Sequence, residues 1–168
     1  MGARSTAREA ALQLLYAIET AGEPQEVVIR QFWLQTPGDA EGREYADTLA
    51  RGIVKARAEL DERITAASDN WRVERMTVVD RNLLRIGSYE LKFCPDIPRA
   101  VAIDEAVEIA KRYGTEESSK FVNGVLERIA NDLSSETGAP AVSSPTAESQ
   151  MNDGPSASDD PAFNRAGR

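Results

Sequence analysis

The sequence contains no histidine and only one cysteine among its 168 residues. Histidine is the commonest general base and the commonest metal ligand in proteins, so its absence removes every catalytic triad that uses imidazole. Cys94 cannot complete a zinc site without further ligands, and no imidazole is present to activate it as a nucleophile. Glycine-rich phosphate loops and the G-x-S-x-G nucleophile motif are also missing. These absences predict a protein that is not an enzyme and that uses no metal or other cofactor.

Long apolar runs are absent as well. No stretch approaches the roughly 18 apolar residues that a membrane helix needs, so we expect no membrane partner. No apolar segment of the kind found in secretory signals follows Met1. Cys94 has no second cysteine with which to form an internal disulfide, as is usual in a reducing compartment. Together these features predict a cytoplasmic protein.

The stretch Ile97 to Leu133 predicts a helical hairpin. Pro98 precedes an apolar pattern with three- and four-residue spacing, and basic residues lie in the last turn of that pattern. Gly114 follows, where the end of a helix often needs a residue that tolerates a positive φ. A second apolar stripe then begins. The junction between the two helices, residues 111–123, mixes basic, acidic and aromatic side chains, which favours a binding surface over a catalytic pocket.

Helical periodicity covers the rest of the chain up to Leu133. Thr6 and Glu9 have the spacing of a capping box and predict the start of the first helix. Residues 45–67 carry one apolar stripe, which predicts a single long helix of about six turns. The helix that follows Thr77 is apolar on nearly every side, so we expect it to be the most buried one.

The composition changes abruptly after Leu133. Residues 134–168 are dominated by Ser, Ala, Pro, Gly, Asp and Thr and contain few apolar residues. Such a segment cannot bury enough surface to offset the conformational entropy of folding, so we predict that it is disordered. The sequence therefore predicts an all-α domain over residues 1–133 and a disordered acidic tail over residues 134–168.

The net charge of −8 argues against a general attraction to nucleic acid, so RNA binding would need a local basic patch. Residues 132–168, with six acids and two bases, contribute half of that charge. Arg4 and Arg8 lie one turn apart, with Tyr16 two turns further on. A solvated basic edge beside a core helix and an RNA contact strip both explain this pattern. For Arg85, on the apolar helix, a structural salt bridge is the default and an anion-binding edge is the alternative.

Three motifs resemble the transcription antitermination factor NusB family in their order and spacing. The first is A-R-E-A-A-L-Q-L-L-Y at residues 7–16, and the second is D-R-N-L-L-R-I-G-S-Y-E-L at residues 80–91. The third is I-D-E-A-V-E-I-A-K-R-Y-G at residues 103–114, followed by S-K-F-V-N-G-V-L-E at residues 119–127. Together with Trp71, the resemblance covers about residues 4–131. It implies an all-α fold of about seven helices in two three-helix subdomains.

The resemblance also implies a non-enzymatic RNA-binding factor that acts with RNA polymerase on ribosomal RNA operons. Members pair with NusE, which is also a small-subunit ribosomal protein, and the pair binds the boxA element of nascent RNA. The implied partners are therefore boxA RNA, NusE and the elongation complex with other Nus factors. A homodimer stays open, because the family includes monomers and homodimers. The resemblance places on the RNA side Arg4, Arg8, Tyr16, Arg85, Lys120, Phe121 and Asn123, and on the NusE side Asp80 and Glu117.

Three features depart from the family pattern. The N-terminus has only Arg4 and Arg8 where members often have a denser basic cluster, which lowers the expected RNA affinity. Asp104 stands where the family commonly has Asn, and residues 134–168 lie outside the family core. Two other interpretations stay open: a helical adapter that binds only protein, and a stand-alone relative of the N-terminal RNA-binding domain of ribosomal RNA cytosine methyltransferases.

Overall fold

The protein is described here by a computed structural model that covers residues 2–138. Within that range all regular secondary structure is helical, which confirms the predicted all-α class and the count of about seven helices. The elements are α1 (Ala3–Ala21), α2 (Gln25–Gln35), α3 (Ala40–Lys55), α4 (Arg57–Ala67), a 3₁₀ turn (Val73–Arg75), α5 (Val78–Phe93), α6 (Arg99–Tyr113) and α7 (Ser118–Glu136).

The helices form two groups around a shared core. Helix α1 packs against α2 and α3, while α5, α6 and α7 pack against one another. Contacts of α1 and α3 with α5 join the groups, and α4 packs on α5 and α7. The two three-helix groups of the predicted fold are therefore present, with α4 connecting them. Fully buried leucines from both groups line the core, among them Leu14, Leu49, Leu84 and Leu126.

Helix α5 is the central helix, as its apolar pattern predicts. Nine of its residues are buried, including charged and polar ones. The hydroxyl oxygen of Thr77 accepts a hydrogen bond from the backbone N–H of Asp80 at 3.1 Å, which caps the helix at its predicted start. Leu83 and Leu84 are fully buried, and burial of one such side chain contributes about 1.5–3 kcal/mol. This burial fixes α5 and, with it, the side chains at its N-terminus.

The prediction of one long helix over residues 45–67 is wrong. The chain breaks at Ala56, whose φ of −93° and ψ of 9° leave the helical range between α3 and α4. The break lets the chain change partners, since α3 packs on α1 and α5 whereas α4 packs on α5 and α7. An apolar stripe continues through such a bend, so periodicity alone did not reveal it. Just before the break, Tyr89 of α5 packs against Gly52 where a Cβ would stand.

Two predicted details at helix ends are also wrong, although α6 does end just before Gly114 as predicted. Helix α1 begins at Ala3 rather than at Thr6, because Ser5 donates a hydrogen bond to Glu105 at 2.9 Å and holds the first turn against α6. Gly114 has a φ of −91° rather than a positive φ. A glycine is needed there for space, since a Cβ at this position would lie 2.6 Å from the Cβ of Ser118.

Helix α7 extends three residues past the predicted domain end at Leu133. It ends at Glu136, whose carboxylate accepts hydrogen bonds from Arg63 of α4 at 2.7 and 2.9 Å. Residues 134–136 are therefore helical instead of disordered. Residues 137–138 form a turn after α7, and residues 139–168 of the predicted disordered tail lie outside the described residues.

Candidate nucleic-acid interface

A groove of about 600 Å³ opens where the 3₁₀ turn, the start of α5 and the start of α7 meet. We call it the junction groove. Its walls combine aromatic, basic and acidic side chains, and the lining residues are Trp71, Arg75, Met76, Thr77, Asp80, Glu117, Lys120 and Phe121. The family resemblance places two of these residues, Lys120 and Phe121, on the RNA side. It places two others, Asp80 and Glu117, on the side of the protein partner. The structure brings all four to one place.

Local hydrogen bonds position both sides of the junction groove. On one side, Thr77 caps α5, and the buried side chain of Met76 anchors the turn that precedes it. On the other side, the hydroxyl of Ser118 accepts a hydrogen bond from the backbone N–H of Thr115 at 2.9 Å at the start of α7. Lys120 and Phe121 follow in the first turn of α7, so their backbone positions are fixed by that start.

Two aromatic side chains give the junction groove an apolar surface. Trp71 is 53% exposed, which is unusual for the largest apolar side chain. Phe121 is half-buried and packs against the core with one side while it lines the groove. Exposed aromatic faces held on a rigid scaffold are suitable for stacking unpaired nucleic-acid bases.

Both basic side chains that line the junction groove lack an ion-pair partner among the described residues. Thirteen of the eighteen Lys and Arg side chains within residues 2–138 lie within 4.0 Å of a carboxylate. The five without such a contact in that range are Arg30, Arg43, Lys55, Arg75 and Lys120. Because Arg75 and Lys120 both line the junction groove, positive charge is locally available there despite the acidic net charge.

Negative charge stands beside these cations. Asp80 is only 9% exposed, and its Oδ1 has no hydrogen-bond partner among the described residues. A buried carboxylate oxygen without a partner costs free energy, which a bound cation or donor would recover. Glu117, which precedes α7, is exposed and lines the same groove. This part of the groove is therefore suited to a basic side chain of another protein.

Tyr16 lies on a second, apolar groove of about 310 Å³, which we call the aromatic groove. Tyr16 is 51% exposed, and Tyr113 at the end of α6 lines the same groove with 49% of its surface exposed. Tyr113 is not among the site residues predicted from the sequence. The K-R-Y-G stretch could have indicated Tyr113 as a site residue, because an aromatic residue there follows two cations at the end of a helix.

Arg4 and Asn123 are both exposed. The Arg4 guanidinium lies 5.0 Å from the centre of the Tyr45 ring and 3.4 Å from the Asp96 carboxylate. An ion pair this exposed contributes little to stability, so the guanidinium can exchange Asp96 for another anion. Asn123 lies on α7, two residues beyond Phe121.

Arg8 is buried, in contrast to the solvated edge that one interpretation of the pattern expected. It is 2% exposed, and its guanidinium donates to both carboxylate oxygens of Glu90 at 2.8 Å. Burial alone would lower the pKa of Arg8, but hydrogen bonding to Glu90 raises it above its usual value. The Tyr45 hydroxyl also contacts Glu90; burial and that contact raise the pKa of Tyr45. The RNA role of Arg8 stays a prediction, while its position ties α1 to α5.

Arg85 forms the structural salt bridge that was its default interpretation. Its guanidinium donates to Asp61 of α4 at 2.8 Å and to Glu19 of α1 at 3.1 Å. Glu19 also accepts two hydrogen bonds from Arg81 at 3.0 and 3.1 Å. These carboxylates keep Arg85 in the interior of the bundle, where it joins α1, α4 and α5. The RNA role that the family resemblance implies for Arg85 also stays a prediction.

Residues 5–131 match the family model described as the NusB family. This match covers most of the chain and contains all three motifs. The chain belongs to the NusB family. The resemblance drawn from the motifs is therefore confirmed.

Individual NusB proteins match at high identity. The chain is 59% identical over 133 residues to the transcription antitermination protein NusB of Sorangium cellulosum, covering 79% of this chain and 95% of the relative. It is 48% identical over 134 residues to the protein of the same name from Geobacter sulfurreducens, covering 79% and 97%. The similarity therefore spans nearly the whole length of these relatives.

Solved NusB structures share the fold. NusB of T. maritima aligns with a TM-score of 0.69 and 42% identity, covering 77% of this chain and 91% of that one. A chain from the crystal structure of antitermination factors NusB and NusE in complex with double-stranded RNA aligns with a TM-score of 0.70 and 29% identity, covering 77% and 97%.

Three further features of residues 2–138 concern metal ligands, membrane helices and the free cysteine. Within residues 2–138, no group of three or more His, Cys, Asp or Glu side chains is arranged to hold a metal ion. The same range has no helix that is long and apolar enough to cross a membrane. Burial and the nearby carboxylates of Glu90 and Asp96 raise the pKa of the Cys94 thiol. A raised pKa reduces the thiolate fraction, so Cys94 is a poor nucleophile.

Proposed function

We propose that this chain is a transcription antitermination factor that binds the boxA RNA of ribosomal RNA transcripts together with NusE. The observation that carries the proposal is the junction groove, where aromatic faces, unpaired cations and an unpartnered buried carboxylate meet. We propose that the protein acts by binding alone, without catalysing a reaction and without a cofactor.

The RNA part of the proposal rests on the aromatic and basic side chains. Specific recognition of single-stranded RNA uses bases that stack on aromatic side chains and phosphates that contact Arg or Lys. Phe121 and Trp71 supply stacking surfaces, and Lys120 and Arg75 supply charge that no carboxylate neutralises. Since most cations of residues 2–138 are paired, Arg75 and Lys120 are among the few that a phosphate can engage, provided that a partner covers the negative charge of Asp80 and Glu117 in the same groove.

The protein part of the proposal rests on Asp80 and Glu117. A basic side chain from NusE would satisfy the buried Oδ1 of Asp80 and would cover negative charge that repels phosphate. RNA affinity would then rise when NusE is bound. The solved complex of NusB and NusE with RNA supports a joint mode of binding for this family.

We propose two different roles for the RNA-side residues that the family resemblance implies. The exposed or groove-lining ones contact RNA, and these are Arg4, Tyr16, Lys120, Phe121 and Asn123. Arg8 and Arg85 hold the helices that carry them, because their guanidiniums are buried against carboxylates. For either one to contact a phosphate directly, it would have to leave an ion pair in the protein interior, which is costly.

The proposal extends to the setting in which the protein works. The partner assembly is the RNA polymerase elongation complex with other Nus factors, in the cytoplasm. Residues 1–133 are the binding domain, which residues 134–136 at the end of α7 continue, and the chain after Glu136 is an acidic segment outside that domain. Sedimentation velocity on the full chain decides between a monomer and a homodimer.

The direct test is a fluorescence anisotropy titration of labelled boxA RNA with the full chain, with and without NusE. We expect tight binding with NusE, weaker binding without it, and little binding to an RNA of the same composition in scrambled order. Binding of NusE without any RNA binding would support the protein-only adapter instead. The methyltransferase-related alternative is disfavoured because the chain matches nearly the whole length of antitermination proteins.

A further inference from the structure

Arg43 of α3 is a third unpaired cation that lines a groove. Its guanidinium lies 5.3 Å from the centre of the Trp33 ring, within the range of a cation–π contact. No carboxylate among residues 2–138 lies within 4.0 Å of it, and its Nε is buried without a hydrogen-bond partner. Trp33 is itself held in place, since its Nε1 donates to Asp47 at 2.7 Å and its ring packs edge-on against Phe32. Arg43 is thus a positioned cation that no carboxylate of residues 2–138 neutralises.

Arg43 and Trp33 belong to a pocket of about 170 Å³ between α1 and the loop that joins α2 to α3, which we call the α1 pocket. The carboxylates nearest to it already have partners. Glu9 accepts a hydrogen bond from Tyr113 at 3.1 Å and contacts Arg112, and Asp39 caps α3 by accepting from the Gly42 N–H. Within residues 2–138, Arg43 is therefore the only cation that lines the α1 pocket, while Glu9 is paired with Arg112 and the Asp39 carboxylate is held by the cap of α3. The Arg43 guanidinium is thus the group in this pocket that an anion can bind.

The α1 pocket is continuous with the surfaces assigned to RNA. Glu9 and Gln13 line both the α1 pocket and the aromatic groove that contains Tyr16. At its other end, the aromatic groove is lined by Val78 and Val79, which directly precede Asp80 of the junction groove. From Thr6 to Tyr16 the path along α1 is about 15 Å, since a helix rises about 1.5 Å per residue. A single strand can follow this path without leaving the protein surface.

We propose that Arg43, held on Trp33, binds a phosphate of the RNA strand where that strand continues past the junction groove and across α1. This inference rests on the proposed RNA-binding function and extends the RNA site to a residue outside the three family motifs. Trp33 is a positioning residue, because it orients the guanidinium and need not touch RNA itself. The site thereby lengthens the stretch of RNA that the chain contacts.

The test uses the full chain with NusE and a nested series of RNAs that carry boxA and grow one nucleotide at a time at either end. For the wild type, we expect affinity to rise once the RNA is long enough to reach Arg43. Arg43→Gln should remove that rise, weaken binding of the longest RNA roughly three- to tenfold, and leave the shortest boxA RNA unaffected. The slope of log affinity against log salt should fall by about 0.7 for the longest RNA, the contribution of one single-strand phosphate contact.

Two further variants control for charge and for folding. Arg30→Gln removes an equally unpaired cation that lines none of the three grooves, and it should bind every RNA as the wild type does. Arg43→Lys keeps the charge and should keep the salt slope for the longest RNA. If Arg43→Lys loses as much affinity as Arg43→Gln, and both unfold at lower urea, Arg43 only packs on Trp33 and the inference is overturned.

The remaining outcomes separate this inference from the proposed function. Should Arg43→Gln bind every RNA as the wild type does while Phe121→Ala weakens all of them, the junction groove binds RNA and Arg43 does not. If the wild type with NusE binds no RNA in the series, the proposed function fails and the inference fails with it.

Discussion

The interior of the bundle and the junction groove use the same residue types in opposite ways. In the interior, Arg8 and Arg85 each face carboxylates at 2.8 Å, so their charges are neutralised within the protein. In the groove, Arg75 and Lys120 line a surface that also contains Asp80, yet none of these three has an ion-pair partner in the described chain. A paired interior cation fixes helices, whereas an unpaired surface cation is free to bind an anion.

The largest expected effect comes from breaking an interior pair. Arg8→Ala leaves the Glu90 carboxylate buried with only the Tyr45 hydroxyl to stabilise it. We expect a loss of about 3–5 kcal/mol in the free energy of unfolding, measured by urea denaturation, with an unchanged salt slope of RNA binding.

Arg4→Ala on the same helix is the matched control. Because its pair with Asp96 is exposed, stability should change by less than about 1 kcal/mol, while the salt slope should fall by about 0.7 if Arg4 contacts a phosphate. An Arg8 variant with full stability and a reduced slope would assign Arg8 to RNA and remove the distinction between the two regions.

The next effect concerns the acidic part of the junction groove. Asp80→Asn removes the charge that we assign to a basic side chain of NusE. It should weaken NusE binding by about 1.5–3 kcal/mol, measured by isothermal titration calorimetry. Asp104→Asn is the control, since Asp104 is an exposed acid outside the groove. Equal losses for both variants would show a general charge effect instead of a specific contact.

Phe121 tests the stacking surface. Phe121→Ala should weaken RNA binding by about 1–3 kcal/mol if a base stacks on the ring, measured by anisotropy in the presence of NusE. Phe93→Ala truncates another partly exposed phenylalanine, which packs with Tyr89 away from the groove, and should not alter RNA binding. A Phe121 variant that unfolds at lower urea but keeps its RNA affinity would make Phe121 a core residue only.

The smallest effect is the acid sensitivity of the second interior network. Burial alone would raise the pKa of Glu19, but hydrogen bonds from Arg81 and Arg85 lower it below its ordinary value. Since the folded pKa is the lower one, Glu19 adds stability above its unfolded pKa of about 4.3 and loses it as the pH falls through the folded pKa.

Glu19→Gln should therefore flatten the decline in unfolding free energy between about pH 5 and pH 3, measured by urea denaturation at each pH. Glu105→Gln is the control, because Glu105 is the more distant carboxylate of the Arg8 network at 3.8 Å. Parallel pH profiles for the wild type and Glu19→Gln would show that Glu19 does not contribute through its charge.

Local signals in the sequence predicted much of the fold. Apolar spacing identified α5 as the buried helix, and the spacing of Thr77 and Asp80 identified its cap. The break at Ala56 was missed because it depends on which helices α3 and α4 pack against. The spacing of apolar residues along the sequence does not show which helices they contact. The early start of α1 was missed for the same reason, since the contact between Ser5 and Glu105 joins residues far apart in the chain.

The site was predicted less completely than the fold. The third motif placed Lys120 and Phe121 together on one helix, but the meeting of that helix with Trp71 and Asp80 required the tertiary structure. Sequence position also cannot show whether an arginine has a carboxylate partner. Arg8 and Arg43 are both helical arginines near aromatic residues, yet only Arg8 is paired with a carboxylate, Glu90 from a distant part of the chain.

The most direct measurement compares two charge-matched double variants in the salt dependence of boxA RNA binding with NusE. Arg75→Gln/Lys120→Gln removes both unpaired cations of the junction groove, and Arg30→Gln/Lys55→Gln removes two unpaired cations elsewhere. The groove variant should lower the slope of log affinity against log salt by about 1.4, whereas the control variant should leave it unchanged. Equal slopes for the two double variants would contradict the assignment of RNA binding to the junction groove.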